Sequence, residues 1–370
     1  MENNRVLNEF IELTSISSPS LGERGMADNL KKKLIKIGFS VCEDGAGEKI
    51  GGTSGNVIAT LKGTKGTPLM LCSHMDRVAG GDGIRHIIKD GKIMSDGTTI
   101  LAADDVSGIV AILGGLRLLK ESGKEHCDIE VVFTACEEKL VQGSNNLDYS
   151  MLGAKHSYCF DSSGRVGRII KSAPGKVLIY VDVYGKNAHA GQAPEKGVNA
   201  LKAAGKILAD IKESRLDFET TANWGVIKAG NSTNVVCDHV EILGEARSRN
   251  PEKLEKYIEY VKKYCNDALE GTEAKVQVRT EYIFNAFLVD ENDEVITTLC
   301  NAMKKCGITS VIDQGGGGMD ANRFNANGIK SVGVATGYMN NHSPKEELYI
   351  DDLNKSAELV YQLICEYSEK

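Results

Sequence analysis

No apolar run in this sequence approaches the roughly 18 residues that a membrane-spanning helix needs. Positive charge is in short supply: the formal net charge is -7, which argues against a nucleic-acid or membrane-surface binder. Ten cysteines are present, but no two of them form a C-x-x-C pair, so the expected state is buried free thiols in a reducing compartment. The opening stretch MENNRVLNEFIELTS lacks the basic start and apolar centre of a signal peptide, which predicts a cytoplasmic protein. Without a secretory signal, the N-x-S/T sequons at Asn231 and Asn341 are chance matches. Neither a 20–50-residue repeat nor a low-complexity tract occurs. The segment GGGGMDANRF lacks the G-K-S/T that ends a nucleotide P-loop.

What is present is an ordinary globular composition, 41% apolar and 26% charged, over 370 residues. That length favours one large domain with a smaller one inserted or appended. The run Lys31–Lys33 reads as the solvated face of a helix.

Strands and helices alternate through the first half. Helices are expected around Val6–Leu13 and Met26–Ile37, then a glycine-rich loop from Gly45 to Gly55 and a strand NVIATL. PLMLCSHMD and IEVVFTACEE read as core strands, and IIKDGKIM reads as a hairpin turning at Asp90-Gly91. A buried helix is expected from Val106 to Lys120, closed by Gly123. This order indicates an α/β sheet with some parallel pairing.

The style changes near Pro174. KVLIYVDVYG alternates as a half-exposed antiparallel strand does. Further on, Asn250 and Pro251 mark a helix start. The order through this stretch is β-α-β-β-α-β, resembling a ferredoxin-like unit. After Phe287 the α/β style returns, ending in a helix from Asp352. The expected architecture is therefore a discontinuous α/β domain, 1–175 and 286–370, interrupted by an α+β domain, 176–285.

Three strands end on acids or histidine: LMLCSHMD on His74 and Asp76, IEVVFTACEE on Glu137 and Glu138, HSYCFD on Asp161. In open α/β sheets the ligand crevice lies outside the carboxyl ends of the strands. Asp104 and Asp105 stand just before the buried helix, and His342 follows the strand SVGVATG. Singly, each has a plain alternative: an N-cap for either aspartate, a hydrogen-bonded histidine for His74, a turn cap for Asp161. Gathered together they are unstable alone, since two carboxylates 4 Å apart repel by about 4 kcal/mol at an effective dielectric of 20. Either their pKa values rise or a metal neutralises them, and imidazole with carboxylate suits zinc, cobalt or manganese.

As a set, S-H-x-D, A-D-D, E-E, a strand ending in D and a late H resemble the co-catalytic zinc peptidases of the aminoacylase and carboxypeptidase superfamily, called M20, and within it the peptidase T group. The resemblance covers nearly the whole chain. It implies a mixed-sheet catalytic domain with an inserted lid, through which many relatives dimerise. It also implies two divalent metal ions: Asp104 bridging, His74 and Asp161 on the first, Glu138 and His342 on the second. Asp76 would support His74, and Glu137 would be the general base. In the lid, His189 would reach the substrate carbonyl, with Asn234 and Arg247 near the substrate. GGGGMDANRF, with Gly316 and Gly317, resembles the substrate loop; its plain alternative is a glycine-rich turn or anion nest. Two departures bear on substrate preference: Val106 stands where the family often has Lys, and Glu245 where it has Asp.

The implied reaction is removal of the N-terminal residue of a short peptide. A carboxypeptidase or N-acyl-amino-acid deacylase of the same superfamily is the alternative, and a non-catalytic metal-binding protein a further one. Cys72 and Cys136 lie within two residues of site residues, and a nucleophilic role for either is disfavoured. His86, His126, His156 and His239 lie outside the motifs and read as surface or packing residues.

Overall fold

The core strands expected from PLMLCSHMD and IEVVFTACEE lie side by side within a nine-stranded mixed sheet. In this computed structural model residues 5–370 are described. The first four residues of the polar opening, on which the signal-peptide reading partly rests, lie outside the described residues. The chain divides into two units, Met1–Ala173 with Phe287–Lys370, and Pro174–Ala286. Each has its own apolar core. No helix among the described residues is long and apolar enough to cross a membrane.

In the first unit, Ile129–Thr134, Leu69–His74, His156–Ser162 and Lys330–Ala335 are neighbours in that order and run parallel. Ile129–Thr134 and Leu69–His74 are buried along their whole length, as expected of core strands. Parallel neighbours share one carboxyl edge, so the polar residues that end these strands are delivered to the same side of the sheet. Antiparallel strands flank this centre, at Ser40–Glu43 with Val57–Leu61 on one side and Arg168–Ala173 with Phe287–Leu288 on the other.

The helix Ala103–Ser122 is buried on nearly every side. It packs against the last helix, Ile350–Ser368, and against the strands Leu69–His74 and His156–Ser162. Gly108 permits the closest approach: a Cβ there would lie 2.1 Å from the Phe160 carbonyl oxygen. The start of this helix is thereby seated beside the strand that carries Asp161. At the expected hairpin, Asp90 and Gly91 take φ of 51° and 73° between His86–Lys89 and Lys92–Ser95, a tight two-residue turn.

The sequence reading differs from the structure at several places in this unit: the turn GGGGMDANRF runs into a helix, Asp320–Ala326, and Ser40–Glu43 and Val311–Gln314 are unexpected strands. The glycine-rich stretch Gly45–Gly55 is not all loop, because Ala46–Ile50 forms a short helix bracketed by Gly45 and Gly51. Arg168–Ala173, not expected from the sequence, is a strand that pairs parallel with Val311–Gln314 and antiparallel with Lys330–Ala335.

The second unit is a five-stranded antiparallel sheet in the order Ser214–Arg215, Thr220–Ala229, His239–Ser248, Gly175–Tyr184, Lys275–Phe284. Apart from the short edge strand Ser214–Arg215, that is the expected β-α-β-β-α-β unit. Its helices Ala200–Asp210 and Pro251–Asp267 bury Ala204, Ile207, Ile258 and Val261 with Val177, Ile179, Val181 and Ile242. Asn250 caps the second helix by accepting from the Lys253 N–H at 3.2 Å, with Pro251 in the first turn.

Candidate metal centre

Beyond the strand Leu69–His74 the chain turns and the His74 ring is fixed. Its Nδ1 lies 2.9 Å from the Asp76 carbonyl oxygen and 3.4 Å from the Asp76 carboxylate. The main chain of Asp76, more than its side chain, therefore orients the ring. His74 Nε2 faces Asp104 Oδ1 at 3.1 Å and Asp161 Oδ1 at 3.9 Å. On the other side of Asp104, Oδ2 stands 3.2 Å from His342 Nε2, which is 2.8 Å from Glu138 Oε1. Two donor groups result, His74–Asp104–Asp161 and Asp104–Glu138–His342, each with atoms within 4.8 Å of one another. Asp104 belongs to both.

The two adjacent aspartates divide. Asp105 turns inward, accepts from the Ser73 hydroxyl and the His74 N–H, and caps the helix through Gly108 N at 3.3 Å. Asp104 faces the two histidines.

The pair Glu137 and Glu138 hangs from a gripped turn. Four successive backbone N–H groups donate to buried side chains: Ala135 to Asn56 Oδ1, Cys136 to Glu23 Oε1, Glu137 to Asp76 Oδ1 and Glu138 to Asp76 Oδ2, at 2.8–3.2 Å. Cys136 takes a left-handed φ of 50° within this turn. Such a conformation in a residue with a Cβ persists only when its surroundings hold it. Asp76 also accepts from Ser20 Oγ at 2.6 Å. Its larger task is thus to anchor the two glutamates.

Charge in the cluster is unbalanced toward the negative. Burial pushes Asp161 up to about 7, against the pull of His74 and with help from Asp104. Burial also lifts Glu137 well above the usual carboxylate range, against His74. Burial would raise Asp104 too, but hydrogen bonds from His342 and His74 outweigh it and hold it below that range. His342, bonded to Asp104 and Glu138, is raised to about 10. Burial works against a charged His74, yet the hydrogen bonds to Asp104 and Asp76 raise it well above the ordinary histidine value. A cluster that must borrow protons to stay neutral fits divalent cations, which would supply the missing charge. Its imidazole and carboxylate donors suit a pair of them.

This chemistry predicts proton-linked metal uptake. Ligands that hold protons above neutral pH must release them on loading. Apparent affinity should therefore rise with pH until pH passes His342, at about 10, by about tenfold per pH unit for each proton released. Chelator competition across that range checks it, and a flat profile would contradict these protonation states.

The cleft over these groups has a volume of about 270 Å³ and is lined also by Gly315–Gly318, Met319, Tyr338 and Asn341. A Cβ at Gly316 or Gly317 would meet nothing within 4 Å, so packing does not demand glycine there. Sequence reasoning missed several supports. Asn341 Nδ2 donates to Asp104 Oδ2 at 2.7 Å, and Tyr338 Oη to Asp161 Oδ1 at 3.2 Å. Both sit within a few residues of His342, the one available signal. Glu23 and Asn56 carried none.

The cysteines near the site are buried, and burial raises Cys72 well above the usual thiol range and Cys136 to about 12. Neither is a ready thiolate.

In the second unit, His189 is exposed and its Nδ1 accepts from Gly191 N and Gln192 N at 3.2 Å. The Ala190 N–H donates to the Asn234 carbonyl at 2.9 Å, which brings these two segments together. Arg247 Nε donates to Glu245 Oε1 at 2.8 Å, and Glu245 also pairs with Lys176. A third donor group, Asp182–His239–Glu241, lies on this sheet. There Arg279 already donates to Asp182, at 3.3 Å, and provides the countercharge.

Comparison with known proteins matches residues 174–273 to the peptidase dimerisation domain of M20 enzymes and residues 56–185 to peptidase family M28. The chain is 39% identical, over 98% of both lengths, to an uncharacterized protein of Bacillus subtilis (strain 168). The crystal structure of aminopeptidase PepT from Bacillus cereus ATCC 10987 superposes with a TM-score of 0.90 at 39% identity, covering 99% of this chain and 98% of that one. A tripeptidase from Staphylococcus aureus superposes with a TM-score of 0.93 at 34% identity, with the same coverage. The inserted dimerisation-type domain and these full-length likenesses decide between the two family models: the chain belongs to the M20 metallopeptidases, in their peptidase T-like group.

Proposed function

We propose that this protein is an aminopeptidase that removes the N-terminal residue from short peptides, tripeptides foremost, with two zinc ions as the native metals. Cobalt or manganese would substitute. One observation carries the reading: two three-donor groups share Asp104, and Glu137 is a buried carboxyl on the gripped turn beside them. When bound, the ions would supply Lewis acidity for the scissile carbonyl and lower the pKa of a water from 15.7 toward about 7.

The chain's own residues do the rest. His74 and Asp161 would hold one ion, Glu138 and His342 the other, and Asp104 both. Asp76 keeps Glu137 and Glu138 in place through their backbone N–H groups. Glu137 accepts the proton of the attacking water and returns it to the leaving amine. Its pKa, raised by burial, suits a group that must hold that proton between the two steps. We assign His189 to the developing oxyanion, Asn234 and Arg247 to the substrate, and Gly316 and Gly317 to a substrate loop. A homodimer through the inserted domain and a cytoplasmic setting complete the reading, the latter in keeping with the free thiols.

A peptide panel tests it. After chelation and zinc addition, free tripeptides should lose their first residue, and N-acetylated versions should stay intact. Release of the last residue, or cleavage only of the blocked peptides, would replace this reading with a carboxypeptidase or a deacylase.

A further inference from the structure

The segment before the buried helix holds Asp104 in an unusual backbone. Ala102 takes φ 59° and ψ 33°, the left-handed region that residues with a Cβ rarely enter, and Asp104 has a non-helical ψ of 102°. Three N–H groups of this segment converge on one acceptor, the carboxylate of Glu346. Oε2 accepts from Leu101 and Ala102, each at 2.8 Å, and Oε1 accepts from Asp104 at 3.0 Å. Glu346 is 1% exposed. It sits in the loop that carries His342, closed by its own N–H to the Ser343 carbonyl at 3.1 Å.

One side chain therefore joins two loops that lie 242 residues apart in sequence. One loop presents the shared aspartate and the other presents the late histidine. We infer that Glu346 is a positioning residue for the metal pair: by gripping the main chain of Leu101–Asp104 from the His342 loop, it sets the Asp104 carboxylate and the His342 imidazole to meet the same ion. Glu346 itself contributes to neither donor group. The inference rests on the reading of Asp104 and His342 as ligands.

The chemistry specifies glutamate at this position. A carboxylate offers acceptors on both oxygens, and its bonds to N–H groups are charge-assisted. Glutamine has nearly the same shape but one acceptor oxygen, so its amide nitrogen would face a backbone donor. Aspartate is one carbon too short to keep the same reach. Released from the carboxylate, Ala102 has no reason to stay left-handed, and Asp104 would turn with it.

The test compares Glu346→Gln with Glu130→Gln. Glu130 is also buried and also accepts two backbone N–H groups, from Gly153 at 2.7 Å and Ala154 at 3.2 Å, but it does not line the cleft. Metal-stripped proteins are titrated with zinc against a chromophoric chelator, and their melting is followed without metal. The expected result is about a 10–100-fold loss of zinc affinity in E346Q, the scale of outer-shell partners. E130Q should bind as the unchanged protein does, although both variants melt earlier. Adding Ala102→Gly to E346Q should recover part of the affinity, since glycine takes the left-handed conformation freely.

Unchanged zinc affinity in E346Q, or an equal loss in E130Q, would overturn the inference while leaving the metal pair intact. If the unchanged protein binds fewer than two zinc ions, the metal-pair reading fails, and this inference fails with it. A further measurement needs no variant. Hydrogen exchange at Leu101, Ala102 and Asp104 should be as slow without zinc as with it, and fast exchange in the metal-free form would also overturn the inference.

Discussion

Replacing Glu137 by glutamine lowers turnover by about 10²–10⁴-fold while two metal ions stay bound; that is the expected result if Glu137 moves the proton. Glutamine matches the shape of the side chain, and the turn beneath it is held through main-chain N–H groups that the substitution does not touch. Glu137 also stands outside both donor groups. The loss should therefore fall on kcat, with KM and metal content close to those of the unchanged protein. Metal analysis and steady-state kinetics on one tripeptide check both halves. Full activity in the variant would remove Glu137 from the mechanism.

The second large effect concerns Asp104. Substituting alanine removes a donor from both groups at once, leaving His74 with Asp161 and Glu138 with His342. Catalytic zinc sites ordinarily use three protein ligands, so neither remainder suffices. Metal content should fall below one ion per chain, and activity should fall by more than the about 10–100-fold typical of a lost outer-shell partner. Asp161→Ala is the comparison, because Asp161 belongs to one group only. It should forfeit one ion and keep the other. Equal losses from the two variants would mean that Asp104 is not shared.

The sequence revealed the parts of this site that are chemically conspicuous. His74 and Asp161 stand at the ends of largely apolar strands and Glu137 just beyond one, and a polar residue at the end of a buried strand stands out. That the strands run parallel is what turns those endings into a cluster. The inserted domain was legible through clean alternation in KVLIYVDVYG and through the Asn250–Pro251 helix start. What the sequence concealed are long-range supports made by ordinary-looking residues. Glu23 stands at the start of a surface helix and bonds to Cys136, 113 residues away. Nothing local distinguishes it from a solvated acid. The helix Ala46–Ile50 was hidden by the glycines that bracket it. The strand Arg168–Ala173 was hidden because it follows directly on a turn and draws its stability from partners late in the chain. At Asp76 the motif spacing pointed to ring support, and the structure adds a task that the spacing does not express.

The gripped turn also constrains how charge can be stabilised during the reaction. Many hydrolases meet a developing oxyanion with backbone N–H groups beside the catalytic residue. Here every N–H from Ala135 to Glu138 already points inward, into Asn56, Glu23 and Asp76. Those four N–H groups are thereby closed to a substrate. On the proposed reading, electrophilic help then comes from cations or from groups elsewhere, and this gripped stretch supplies a base and a ligand without giving up its rigidity.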